Sequence, residues 1–152
     1  MTALIELVQD DIKSILPHRD PFLFLDVVTI TSPGKDGLST LNMANIQDCV
    51  LAGPSINKED ILVELVLEAA AQLSGVVLST QPNLPEGEDV QKLLLGFDDV
   101  VVTACPKSAE LITLSTTVLN EFKGMYQCAF EALSPCGLNI SGKLNVLNGV
   151  AS

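Results

Sequence analysis

Apolar and polar positions change rhythm several times along the chain, and each change marks an element. Over residues 5–15, Ile5, Val8, Ile12 and Ile15 recur at helical spacing, which predicts a short amphipathic helix ending before Pro17. Residues 22–30 (Phe-Leu-Phe-Leu-Asp-Val-Val-Thr-Ile) read as a buried strand by composition. Ser32-Pro-Gly-Lys-Asp-Gly37 is a turn, and residues 38–45 read as a second strand with alternating character. Residues 46–57 read as a loop, with Asn57 as N-cap of a helix from about 58 to about 79. A polar Pro/Gly-rich loop follows at 81–88. Four strands come next, near 92–103, 109–121, 124–134 and 138–147, with turns at Gly124 and Pro135-Cys-Gly137.

Consecutive strands joined by short turns predict a largely antiparallel sheet. The long helix, apolar nearly all round over Ile61–Leu78, must lie inside that sheet instead of on the surface. The expected fold class is therefore α+β, with residues 1–152 forming one domain. A short N-terminal helix precedes a long central helix wrapped by a curved antiparallel sheet, the arrangement called a hotdog. Within the central helix, Glu64, Glu68 and Gln72 fall one turn apart on a single face. An ionised carboxylate such as Glu68 costs several kcal/mol to bury unless it is paired or solvated, so it is a candidate for chemistry.

Composition removes several function classes. The formal net charge is −11, from 19 acidic and 8 basic residues, and Arg19 is the only arginine. Nucleic acid and anionic membrane surfaces are excluded as partners, because phosphate binding needs clustered Lys and Arg. An apolar share of 47% and a mean hydropathy of +0.40 are high for a small soluble monomer, which points to buried oligomer contacts. Cys49, Cys105, Cys128 and Cys136 are scattered, and with one His they make no zinc site; free thiols in a reducing cytoplasm are the reading. The N-terminus has no signal-peptide pattern. The 61–78 stretch approaches membrane-spanning length, but its aligned Glu64, Glu68 and Gln72 argue against a span.

Two motifs carry a family resemblance. Leu16-Pro-His-Arg-Asp-Pro-Phe-Leu-Phe-Leu-Asp26 resembles the L-P-H-R-x-P-F-L-L-V-D motif of FabZ-type 3-hydroxyacyl-acyl-carrier-protein dehydratases, of the FabZ/FabA group in the hotdog superfamily. Leu67-Glu-Ala-Ala-Ala-Gln-Leu-Ser-Gly75 resembles that family's helix motif L-E-A-x-A-Q-x-x-G. The spacing and the order of elements also agree, so the likeness covers most of the chain. It implies cytoplasmic hotdog homodimers, or trimers of dimers, acting in fatty acid biosynthesis on acyl thioesters of acyl carrier protein or coenzyme A, with no cofactor and no metal. A His from one subunit removes the C2 proton, and a Glu on the long helix of the other helps the hydroxyl leave as water. Backbone amides near the helix start hold the thioester carbonyl.

Carried over by position, the carboxylate is Glu68, and Gln72 follows one turn later. In the segment that reads G-H-F-P-G in the family, this chain has Gly53-Pro54-Ser-Ile-Asn57, so Pro54 stands where the catalytic His should be. Leu62-Val63 replaces the Pro-Gly that opens the helix. Gly53, Pro54, Val63 and Gln72 are thus the positions expected to border substrate. Proline cannot transfer a proton, and losing such a group costs on the order of 10²–10⁴-fold in rate. The family's basic stretch around R-F-x-x-P-V-x-P-G-D is Val101-Val-Thr-Ala-Cys-Pro-Lys-Ser-Ala-Glu110 here, which removes positive charge that would attract an acidic carrier. His18, the only imidazole, lies where the family's His is structural, and is also the one available substitute base. Arg19 is expected to pair with Asp20 or Asp26. Three readings stand: a dehydratase with a weakened or lost activity, a hotdog thioesterase using Glu68 as general base, and a non-catalytic acyl-binding or partner subunit of a second hotdog protein.

Overall fold

The computed structural model describes residues 4–19, 22–50, 58–81, 90–104, 111–135 and 137–150. Gly53, Pro54, Asn57, Asp20, Cys105, Cys136 and most of the 81–88 loop lie outside these residues. The elements are β1 (Ile5–Leu7), α1 (Gln9–Ile15), β2 (Leu25–Ser32), β3 (Asp36–Leu41), α2 (Met43–Val50), α3 (Lys58–Ser79), β4 (Val90–Ala104), β5 (Thr113–Phe122), β6 (Met125–Leu133) and β7 (Asn139–Val150). The seven strands form one antiparallel sheet in the order β1-β2-β3-β5-β6-β7-β4.

One face of this sheet carries the core. Along β6, Cys128, Phe130 and Ala132 are buried while Glu131 and Leu133 are exposed, the period-2 pattern of a strand with one face covered. Leu25, Val28 and Ile30 of β2, Leu114 of β5, and Ile140 and Leu144 of β7 join them against α3. α3 supplies Val66, Ala69, Ala70, Leu73, Val76 and Val77, all fully buried. Its first turns are half-open and its last turns enclosed. Glu64 is exposed, Glu68 intermediate and Gln72 only 2% exposed, so the polar face descends into the protein. Small side chains let the helix sit close. A Cβ on Gly37 of β3 would lie 2.6 Å from Val77 Cγ2, so only glycine permits this approach. Within Ile61–Ser79 the helix is long and apolar enough to cross a membrane, but most of it is buried inside the fold.

Four expectations change. Residues 5–7 are a strand, because their backbone pairs with Val28–Ile30 of β2; the helix begins at Gln9 and buries Ile12 alone. Sheet-edge pairing overrides the helical spacing of Ile5 and Val8, which are 40% and 49% exposed. The expected 38–45 strand ends at Leu41, and its last residues together with part of the expected 46–57 loop form the helix α2. Asn42 starts it, with its Oδ1 accepting from the Asn45 N–H and its carbonyl from the Ile46 N–H, and fully buried Ile46 anchors it. The strand expected from 22 begins at Leu25, because Phe22 and Phe24 bond to a side chain of α3 in place of a strand.

Candidate functional site

The first motif folds into a bracket around the second. α1 ends at Ile15, and Pro17 forces Leu16 into an extended conformation (φ −104, ψ 142). The end of a helix leaves carbonyls without partners. Arg19 answers them. Its Nη1 donates to the carbonyls of Leu16 (2.9 Å) and His18 (2.7 Å), and its Nη2 to that of Lys13 (3.2 Å). Arg19 is therefore a helix C-terminal clamp; among the described residues it makes no ion pair with Asp26, and Asp20, the other expected partner, lies outside them, while a cation following a helix-stopping proline was the available signal for the clamp. The Arg19 carbonyl in turn accepts from the Phe22 N–H at 2.7 Å.

Gln72 fastens the other side of the bracket. Its Oε1 accepts from the Phe24 N–H at 3.1 Å, and its Nε2 donates to the Phe22 carbonyl at 2.8 Å. A backbone donor on one side and a backbone acceptor on the other fix which way the amide points. The Nε2 thereby also faces Glu68 Oε1, at 3.4 Å. Both ends of this amide are occupied by backbone.

Between Arg19 and Gln72, the chain delivers His18 to Glu68. His18 Nε2 lies 3.3 Å from Glu68 Oε1, with the two side chains 33% and 43% exposed. His18 Nδ1 is buried with no hydrogen-bond partner among the described residues. Against an ionised carboxylate, the neutral imidazole carries its proton on Nε2. Glu68 Oε1 receives two donors, whereas its Oε2 has no partner among the described residues.

The structure thus unites three candidates, Glu68, His18 and Gln72, within one chain. Val63 is half-buried at the core edge, two and a half turns before Gln72 and so on another face of the helix. Among the described residues no three metal-ligating side chains converge. A separate polar cluster lies beneath α3, where Ser74 Oγ and Thr116 Oγ1 are 3.0 Å apart and Thr116 Oγ1 reaches the Ala129 carbonyl at 3.2 Å. Cys128 beside them is a free buried thiol, pushed up to about 11 by burial and partly offset by a hydrogen bond with Ser74.

No family model matches the chain. The 3-hydroxyacyl-[acyl-carrier-protein] dehydratase FabZ of Coxiella burnetii is 25% identical over 139 residues, covering 91% of this chain and 97% of the relative. FabZ of Nitrosospira multiformis is 28% identical over 122 residues, covering 80% and 83%. Among solved structures, the dehydratase heterocomplex ApeI:P from Xenorhabdus doucetiae superposes with a TM-score of 0.61 at 14% identity, over 90% of this chain and 89% of that one. A thioesterase family protein from Silicibacter pomeroyi gives 0.58 at 11% identity, over 92% and 96%. A long buried helix on a seven-stranded antiparallel sheet, with these neighbours, defines the hotdog fold. Within that class the chain is similar to the FabZ dehydratases, which it matches along nearly all of its length at 25–28% identity.

Proposed function

We propose that the chain is a FabZ-like 3-hydroxyacyl thioester protein in which Glu68, and not His18, moves the proton. Dehydration is then slower than with a His and Glu pair by on the order of 10²–10⁴-fold. One observation carries this reading: His18 spends Nε2 on Glu68 and has Nδ1 buried, so its imidazole offers no nitrogen to a substrate. Pro54, in the register of the missing His, supports it from the sequence. His18 and Gln72 are positioning groups that fix Oε1 and leave Oε2 outward.

A lone carboxylate can still carry out the elimination. Glu68 takes the C2 proton, the C2–C3 double bond forms as the C3–O bond breaks, and the same proton leaves with the hydroxyl as water. No metal or cofactor is needed. A thioester of coenzyme A or of acyl carrier protein is the substrate class. In this reading residues 1–152 form one hotdog domain acting in the cytoplasm. The unpaired edge of β4, with exposed Leu94, Leu95 and Val100–Val102, supports pairing with a second copy or with a second hotdog protein.

The half-open position of Glu68 favours a second reading, a thioesterase. Here Oε2 takes a proton from water, the hydroxide adds to the thioester carbonyl, the C–S bond breaks, and the thiol leaves with that proton. Purified protein given a 3-hydroxyacyl thioester separates the cases. Slow enoyl formation by ultraviolet absorbance, lost in Glu68→Gln, supports the dehydratase. Free thiol release, lost in the same variant, moves the assignment to hydrolase. Neither product leaves acyl binding or service as a partner subunit. Turnover at the rate of a His and Glu enzyme would refute the lone-carboxylate reading.

A further inference from the structure

We infer that Arg19 is a positioning residue for the Glu68 carboxylate, acting through His18. The inference rests on the role proposed above for Glu68, but its geometry stands apart from any turnover. Arg19 does not touch Glu68. Its guanidinium gathers three carbonyls, of Lys13, Leu16 and His18, that span six residues of chain. The bond to the His18 carbonyl sets the plane of the 18–19 peptide and hence the direction in which the His18 side chain leaves the backbone. Pro17 restricts the residue before, and the Arg19 carbonyl ties the residue after to the Phe22 N–H. His18 is thereby presented at one angle, with Nε2 aimed at Glu68 Oε1 and Nδ1 turned inward.

The chemistry requires arginine. A planar fork with several N–H groups can hold divergent acceptors at once, while a lysine ammonium is a point charge on a mobile stem. Arg19 is itself exposed, so its removal leaves the buried core intact. What changes is the registration of His18 against Glu68. A second consequence follows for Glu68. Without His18 on Oε1, the carboxylate keeps, among the described residues, only the long 3.4 Å contact from Gln72 and is free to rotate.

His18 is the only histidine of the chain, so its ring nitrogens give unambiguous NMR signals. In the unaltered protein, Nε2 should be the protonated nitrogen, and Glu68→Gln should shift it. In Arg19→Ala, that Glu68-dependent shift should vanish while the amide spectrum of the β5–β6 hairpin stays unchanged. Should Arg19→Ala fail to fold, Arg19→Lys is read in the same way. A Glu68-dependent shift of undiminished size in the folded variant overturns the inference. Where thioester turnover is measurable, Arg19→Ala should lower kcat on the order of 10–100-fold with KM unchanged, the mark of a misplaced reacting group. A rise in KM alone overturns it. The imidazole spectrum reports on Arg19 even if Glu68→Gln leaves turnover intact and so refutes the proposed function, which keeps the two failures distinct.

Discussion

Replacing Gln72 with leucine tests whether the bracket is held by hydrogen bonds or by packing alone. Gln72 is 2% exposed, and leucine fills a similar volume, so no large cavity opens. Two backbone groups lose their partner. The Phe24 N–H belongs to a residue that is 2% exposed, and an unsatisfied buried donor costs about 1–3 kcal/mol. The Phe22 carbonyl belongs to a residue 63% exposed, where water replaces the lost bond at little cost. The 3.4 Å contact with Glu68 adds little at that length. Gln72→Leu should therefore cost about 2 kcal/mol, seen in urea melts as a lower midpoint at unchanged slope. Hydrogen exchange should show the Phe24 amide losing protection ahead of the α3 core. Gln72→Glu makes the argument sharper. It keeps an acceptor for Phe24 but sets a carboxylate oxygen against the Phe22 carbonyl and Glu68 Oε1. Burial and Glu68 hold that new carboxyl above the usual range, so the variant should be weakest at neutral pH and recover as pH falls and the carboxyl becomes a donor. A loss under ~0.5 kcal/mol for the leucine variant, below the range for an orphaned buried donor, would refute the reasoning.

Other consequences of the fold can be checked alongside. Gly37→Ala places a methyl 2.6 Å from Val77 Cγ2 and 3.3 Å from Ile30 Cδ1, and should destabilise by about 1–3 kcal/mol in thermal melts. The Cys128 thiol, raised from 9.0 to about 11, ionises first in the unfolded chain; stability should therefore fall between pH 9 and 11 by up to roughly 2–3 kcal/mol, and Cys128→Ala should flatten that slope. Leu95→Lys with Val101→Lys puts charge on the exposed β4 edge and should lower the mass seen by light scattering; an unchanged mass would remove β4 from the interface.

The large elements were legible because their periods are long and unbroken. α3 runs from Lys58 to Ser79 as its apolar run predicts, and the β5–β6 turn falls at Gly124. There Lys123 and Gly124 both take positive φ, 51 and 85, as a two-residue hairpin turn requires. Short elements were less legible, because tertiary contacts decide them. Ile5–Leu7 has helical spacing but a strand neighbour, and α2 depends on Asn42 and one buried isoleucine. In the site, the Glu68 and Gln72 pairing follows from one helical turn. The approach of His18 did not follow, since 50 residues separate it from Glu68 and no local rule connects them. Its cause is spread over Pro17, Arg19 and the Gln72 bonds to Phe22 and Phe24, each of which is ordinary when read alone.

That dispersion bears on what Glu68 is for. A carboxylate has two oxygens, and here they have different surroundings. Oε1 takes His18 and Gln72 and so belongs to the architecture that joins the first motif to the helix. Such a role would preserve Glu68 even in a protein with no chemistry. Oε2 is different: a buried, purely structural carboxylate usually has both oxygens bonded, because an unpartnered charged acceptor is costly to bury. Glu68 avoids that cost by keeping its side chain 43% exposed, at the point where α3 passes from the open surface into the core. In the proposed function, the same position is what would let an acyl thioester or a water molecule reach one oxygen while the protein holds the other. Structure and reactivity therefore make compatible demands on this residue, and each of the two oxygens answers one of them.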